Sequence, residues 1–140
     1  MKHSSELRDV ILGWFKAAEN GDVSWCDHHV SGNPDLRVVG TDPKEWLKGE
    51  KALGFLRNEA ATVGGRVKVR IVEVEAYEEG SVGWGLALPE ITLLDGNKVS
   101  PRWSAVFHRE DKDWRMVQLH ASIAIGNTEA FGDTFTPAPH

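Results

Sequence analysis

Cysteine is almost missing from this chain: Cys26 is the single one in 140 residues. It cannot close an internal disulfide, which sets aside the cross-linked secreted scaffolds and makes a reducing compartment, the cytoplasm, the expected location. Tyrosine also occurs once, as Tyr77. Long apolar runs are missing too. The longest stretch of that kind, Val10 to Phe15, falls far short of the roughly 20 residues a membrane helix needs. Glu6, Arg8 and Asp9 break up the first turns, so no signal-peptide layout is expected there. No Lys/Arg cluster offsets a net charge of -5. Such a chain repels phosphates and anionic lipid, so neither nucleic acid nor a membrane surface is an expected partner. The sequence carries no Gly-rich phosphate loop, no Ser-His-Asp order and no zinc spacing. No cofactor and no metal are therefore expected. Asp27-His28-His29 does not change this, because adjacent helical side chains point about 100° apart and share one ion poorly.

What is present is ordinary globular material, with 41% hydrophobic and 26% charged residues. The length suits one domain that buries roughly two thirds of its unfolded surface. Leu7, Val10, Ile11, Trp14, Phe15 and Ala18 recur at the spacing of an amphipathic helix, capped by Ser4 or Ser5 and stopped by Asn20-Gly21. A short helix from Asp22 places Trp25, Cys26, His29 and Val30 on one face and ends at Ser31-Gly32-Asn33-Pro34. Leu36 to Val39 reads as a strand. Asp42-Pro43-Lys44-Glu45 reads as the start of a brief helix, and Glu50 to Val63 as a longer one.

From Arg66 onward the residues become β-branched and aromatic, punctuated by turns. Strands are expected over 66–77, 82–93, 99–109 and 114–125, in a four-stranded antiparallel run. The register of 66–77 stays open, because a one-residue slip exchanges Glu73 and Glu75 for Val72 and Val74. Residues 126–140 read as a tail after a domain of residues 1–125, anchored by Phe131 and Phe135. Taking Asp95-Gly96 as a two-residue hairpin loop pairs Trp84 with Phe107, Leu86 with Ala105, and Leu88 with Trp103. An even turn at 110–113 then sets His120 opposite Trp103. One face collects Trp84, Leu86, Leu88, Glu90, Trp103, Phe107, Met116, Gln118, His120 and Ser122; the helices would cover it as the lining of a hollow. The other holds Val106, Val117, Leu119, Ala121 and Ile123, an apolar patch that predicts a sheet-against-sheet homodimer.

Three stretches carry a family likeness: Val39-Gly-Thr-Asp-Pro43, Val106-Phe-His-Arg109 and Trp114-Arg-Met-Val-Gln-Leu-His-Ala-Ser122. With the helix-then-sheet order, they resemble the nuclear transport factor 2-like superfamily, in its SnoaL-like branch. The last stretch also resembles the end of the association domain of calcium/calmodulin-dependent kinase. The resemblance spans about residues 4–124 and implies an α+β cone-shaped barrel of N-terminal helices packed on a curved antiparallel sheet, usually dimeric. This fold hosts isomerases, dehydratases, cyclases, hydrolases and scaffolds alike. Asp42 sits near the place where ketosteroid isomerases of the superfamily carry a catalytic Asp, but here it precedes a proline, as a helix cap would. Their first-helix tyrosine has no counterpart.

His120 and Glu90 form the candidate catalytic pair, a carboxylate orienting an imidazole for general-base work. The alternative is a histidine that serves packing and a glutamate at the sheet edge. Trp84, Leu86, Leu88, Trp103, Phe107, Gln118, Ser122, Trp25 and His29 are the expected pocket lining; the aromatics could equally be core. Cys26 reads as a core filler. Two classes of function stay open. One is a cofactor-independent acid-base enzyme on a small, partly aromatic metabolite; the other is a non-catalytic ligand-binding or association module.

Overall fold

The first helix begins where the serines predict. The computed structural model describes residues 1–134. In it α1 (Ser5–Asn20) opens with the Ser4 hydroxyl accepting the Leu7 N–H at 3.1 Å, and Gly21 closes it in the left-handed region. A two-residue strand β1 (Lys2–His3) precedes it. Asp22 starts α2 (Ser24–His29) by accepting both the N–H and the hydroxyl of Ser24. Next come β2 (Arg37–Val39), β3 (Trp46–Lys48) and α3 (Glu50–Val63). The long strands are β4 (Val67–Glu79), β5 (Val82–Leu93), β7 (Arg102–Glu110) and β8 (Asp113–Ser122), with a two-residue β6 (Lys98–Val99) beside β5. After them α4 (Asn127–Phe131) and a 3-10 turn (Gly132–Thr134) occupy part of the expected tail. Phe131 is more than half exposed, and Phe135 lies outside the described residues.

All strands join one curved sheet in the order β1-β4-β5-β7-β8-β2-β3, with the helices against one face. The α+β cone of helices on an antiparallel sheet is therefore as expected, with a parallel pairing where β2 meets β8. The brief helix expected at Asp42 is instead the connection of a β2–β3 hairpin. Asp42 accepts the Lys44 N–H, and Gly40 N–H donates to the Glu45 carbonyl at 2.9 Å. Too few residues lie between Pro43 and Gly49 to repay helix nucleation. The Asp side chain makes a local turn instead.

The core forms between α1, α2, α3 and the inner sheet face. Leu7, Ile11 and Phe15 of α1 meet Leu56, Trp103, Phe107, Trp114 and Met116, all nearly or wholly buried. Under α1, β5 presents Gly83, Gly85 and Ala87. A Cβ at Gly85 would overlap the Ile11 Cδ1 atom and stand 2.9 Å from the Glu75 carbonyl oxygen, so the helix rests on bare backbone.

Candidate functional site

Three local irregularities decide which side chains share a face. The β5–β6 hairpin turns through Leu94-Asp95-Gly96, a three-residue loop with Gly96 at φ +88°. Asp95 accepts the Asn97 N–H at 2.9 Å to hold it. A three-residue loop closing on a left-handed glycine is a standard alternative to the two-residue turn. It moves the register by one: Trp84 pairs with Val106, Leu86 with Ser104 and Ala87 with Trp103. The second irregularity is at Val117. Phe107 pairs with Met116, as an even turn at 110–113 predicts, but Val106 pairs with Gln118. Val117 is thus the extra residue of a β-bulge, and it flips everything after it. The third is Val72, passed over between Ile71 and Glu73; it sends Glu73 and Glu75 outward and Val74 and Ala76 inward.

The expected pocket face therefore divides. Trp103, Phe107 and Met116 point into the core, where Trp25 also lies. Trp84, Leu86, Leu88, Glu90, Gln118, His120 and Ser122 point to the outer face, which no helix among the described residues covers. Leu119, expected outside, is buried, and Ala121 packs against the core. His120 faces Ser104, not Trp103. Glu90 lies two strands away and four residues beyond Leu86, the residue that also faces Ser104. That is about 13 Å along the strand alone, so the two are not diagonal neighbours.

Inside, aromatic rings fill the cone. Trp14 meets Trp25 edge to face at 5.1 Å, and Phe15 meets Trp103 in the same way at 5.3 Å. The Trp25 indole N–H donates to the Val10 carbonyl at 3.0 Å, whereas the buried Trp103 Nε1 has no partner. His29 reaches this roof half-buried; its Nδ1 lies 2.9 Å from the Trp114 carbonyl and its ring 5.3 Å from Trp25. Burial pushes the Cys26 thiol up from its ordinary value, as befits a core filler. Ser31, fully buried, donates to Glu110, whose carboxylate also lies 3.7 Å from His108 Nδ1. A carboxylate between hydroxyl and imidazole is the wrong order for an activated serine, so this trio ties a loop to the sheet. Among the described residues no three metal-ligating side chains converge.

The outer face carries the unspent chemistry. Leu86, Leu88, Glu73, Glu75 and Arg102 rim a depression of about 200 Å³. Tyr77 donates to Glu75 at 3.1 Å and stacks on Trp84; that hydrogen bond to a carboxylate raises the Tyr77 pKa. Arg70 and Lys98 clasp Glu90 at 3.2 and 3.5 Å, and the Arg70 hydrogen bond holds its carboxyl below the usual range. At the far edge, Arg37 lies 5.0 Å over the ring of Trp46, which is 70% exposed. Glu73, Glu75, Arg37 and Trp46 were not among the expected site residues. The signal for that face was the alternation Gly83-x-Gly85-x-Ala87, whose small side marks where a helix sits and whose large side must then face away.

A model of the SnoaL-like domain matches residues 7–126. The chain belongs to the SnoaL-like family. No curated protein matches it. Among solved structures it is similar to a nuclear transport factor 2-like protein of unknown function from Pseudomonas putida, with a TM-score of 0.74 and 16% identity over 96% of this chain and 95% of that one. A protein of the same fold from Streptomyces avermitilis, provisionally described as a dehydratase, gives 0.66 and 21%, covering 86% and 94%. The association domain of calcium/calmodulin-dependent kinase II from Caenorhabditis elegans gives 0.65 and 13%, covering 84% and 92%. At these identities the SnoaL-like chain shares a fold with a protein described as a dehydratase and with an association domain alike, so activity must be argued from its own residues.

Proposed function

We propose that this SnoaL-like chain is an association module whose working surface is the outer face of its sheet, and that it forms a homodimer there. One observation carries the reading. Leu86 and Leu88 are 47% and 39% exposed beside Trp84 and Val106, on a face without helices among the described residues. Exposed apolar side chains grouped on one sheet face suit a partner's surface. The likeness to a kinase association domain supports it. The lone buried Cys26 fits work in the cytoplasm. No helix among the described residues is long and apolar enough to cross a membrane. Sedimentation equilibrium tests the reading: the wild type should be a dimer at micromolar concentration and Leu86→Asp a folded monomer. A wild type that stays at 15.5 kDa across all concentrations would sink it.

A second reading, binding of a small aromatic molecule at the inner face, draws support from the Trp103 Nε1 donor, buried without a partner. Such a donor costs free energy until something accepts its proton. Acid-base chemistry by His120 with Glu90 draws less, since Glu90 is held as an ion by Arg70 and Lys98, away from His120. If a small aromatic probe such as quinoline, whose ring nitrogen can accept a hydrogen bond, binds there, Trp103→Phe should weaken it several-fold while His120→Gln leaves it unchanged.

A further inference from the structure

This inference goes beyond the pairing proposed above, because it needs only one chain. On the outer face the register sets Glu73 beside Leu88 and Glu75 beside Leu86. Leu86 in turn pairs with Ser104, and Ala87 with Trp103, so the next step along β7 brings Arg102 level with Leu88 on its other side. Glu73, Glu75, Leu86, Leu88 and Arg102 all line one depression. Two leucines thus make an apolar floor, with carboxylates along its β4 flank and a guanidinium on its β7 flank.

The charges on these flanks differ in what they already hold. Glu90, further along β5 on the same face, is spent on Arg70 and Lys98. Glu75 accepts the Tyr77 hydroxyl with one oxygen. Among the described residues, Glu73 and Arg102 make no side-chain hydrogen bond or ion pair, with each other or with any neighbour. Strands lie about 4.8 Å apart, so the backbones of Glu73 and Arg102, two strands apart, are separated by about 10 Å across Leu88. Side chains stand roughly perpendicular to a sheet, so their charged ends face each other over a similar gap. A charge-assisted hydrogen bond at each end takes about 2.8 Å. About 4 Å then remains between the opposite charges of a molecule laid across the floor. A molecule with its ammonium and carboxylate on the same or adjacent carbons has that separation, and a longer amino acid must fold to match it.

We propose that this depression binds a short zwitterion with an apolar side chain, the chemistry of an aliphatic α-amino acid. Its ammonium meets Glu73, and Glu75 adds a second negative charge beside it. Its carboxylate meets Arg102, whose forked N–H groups suit a carboxylate. Its side chain lies on Leu86 and Leu88. An engineered apolar cavity of about 150 Å³ takes a benzene ring. The depression of about 200 Å³ has room for an aliphatic side chain with both charged groups at its rim. A simple amine or a simple carboxylic acid leaves one flank unmatched. Exposed ion pairs contribute little singly, so binding needs both charges and the floor together, and the affinity falls in the millimolar range.

Titrating the full chain with L-leucine at low salt, followed by NMR of the methyl groups of Leu86 and Leu88, tests the site. Both residues should show saturable shifts. Isoamylamine, which lacks the carboxylate, and 4-methylvalerate, which lacks the amino group, should each bind about threefold more weakly or worse, the range of one exposed ion pair. Glu73→Gln should weaken L-leucine and isoamylamine by a similar factor and leave 4-methylvalerate unchanged. Arg102→Gln should weaken L-leucine and 4-methylvalerate and leave isoamylamine unchanged. Both positions are exposed, circular dichroism confirms folding, and either variant suffices if the other fails to fold. Sedimentation of the same samples separates this site from the pairing: uptake by a chain that stays monomeric keeps the site and removes the dimer, and a dimer without uptake does the reverse. The absence of saturable shifts at Leu86 and Leu88, whatever the oligomeric state, overturns the site. Equal binding of L-leucine and its two analogues, or L-leucine binding indifferent to both substitutions, overturns it too.

Discussion

Along β5, the residues facing the helices are Gly83, Gly85, Ala87 and Pro89, whereas those facing away are Val82, Trp84, Leu86 and Leu88. The usual expectation puts large apolar residues inward. Here the inward side is small because α1 supplies the bulk, setting Leu7 and Ile11 onto the two glycines. The outward side is large, with no helix among the described residues to cover it. A strand whose small face is buried and whose large face is open suits contact on both sides, one inside the molecule and, on the proposed reading, one with a second copy.

Filling the small side should break this arrangement most. In Gly85→Val, the new side chain meets both Ile11 and the Glu75 carbonyl, which belong to different elements and cannot both retreat. A cost of about 3 kcal/mol or more is expected, the upper range for overpacking, read as a lower urea midpoint with unchanged slope. A midpoint within error of the wild type would mean that α1 does not rest on β5.

The large side should behave oppositely. Leu88→Ser, placed in the monomeric Leu86→Asp background so that dimer loss does not enter, should shift unfolding by only about 0.5 kcal/mol, as exposed positions do. The same Leu88→Ser change in the wild type should weaken the dimer. If it destabilises the monomer as a core deletion does, the face is not open.

The contrast also shows where the sequence could be read. Helices α1 and α3, the long strands and the fold family were legible because their periodicity repeats over many residues, which one local event cannot erase. Site residues depended on register, and register hung on single residues. One added residue in the turn at Asp95-Gly96 moved Trp84, Leu86 and Leu88 away from Trp103 and Phe107. One bulge at Val117 carried Gln118, His120 and Ser122 to the outer face and Leu119 inward. The apolar alternation of β8 does carry a trace of the bulge: Trp114 and Met116 keep one parity, Leu119 and Ala121 the other. An unbroken strand forces a choice between them, and the slip at Val117 turns all four inward.

The smallest effect concerns Glu90, once paired with His120 in expectation and now seen between Arg70 and Lys98. Hydrogen bonding from Arg70, with Lys98 adding its charge, lowers the folded carboxyl pKa. A carboxyl with a depressed folded value contributes stability above its unfolded pKa, about 4.3, and loses it as pH falls through the folded value. Glu90→Gln should therefore lower the melting temperature slightly at neutral pH. The gap to the wild type should narrow as pH drops below 4 and close in strong acid, and salt should shrink it because the pairs are solvent-exposed. A gap that widens toward acid would mean that Glu90 is held neutral in the fold, and would return it to consideration as a proton donor on the outer face. A gap that vanishes with acid and with salt leaves it an ion pair that staples β4 to β5 at the end of the sheet away from Trp84, outside the contact proposed between copies.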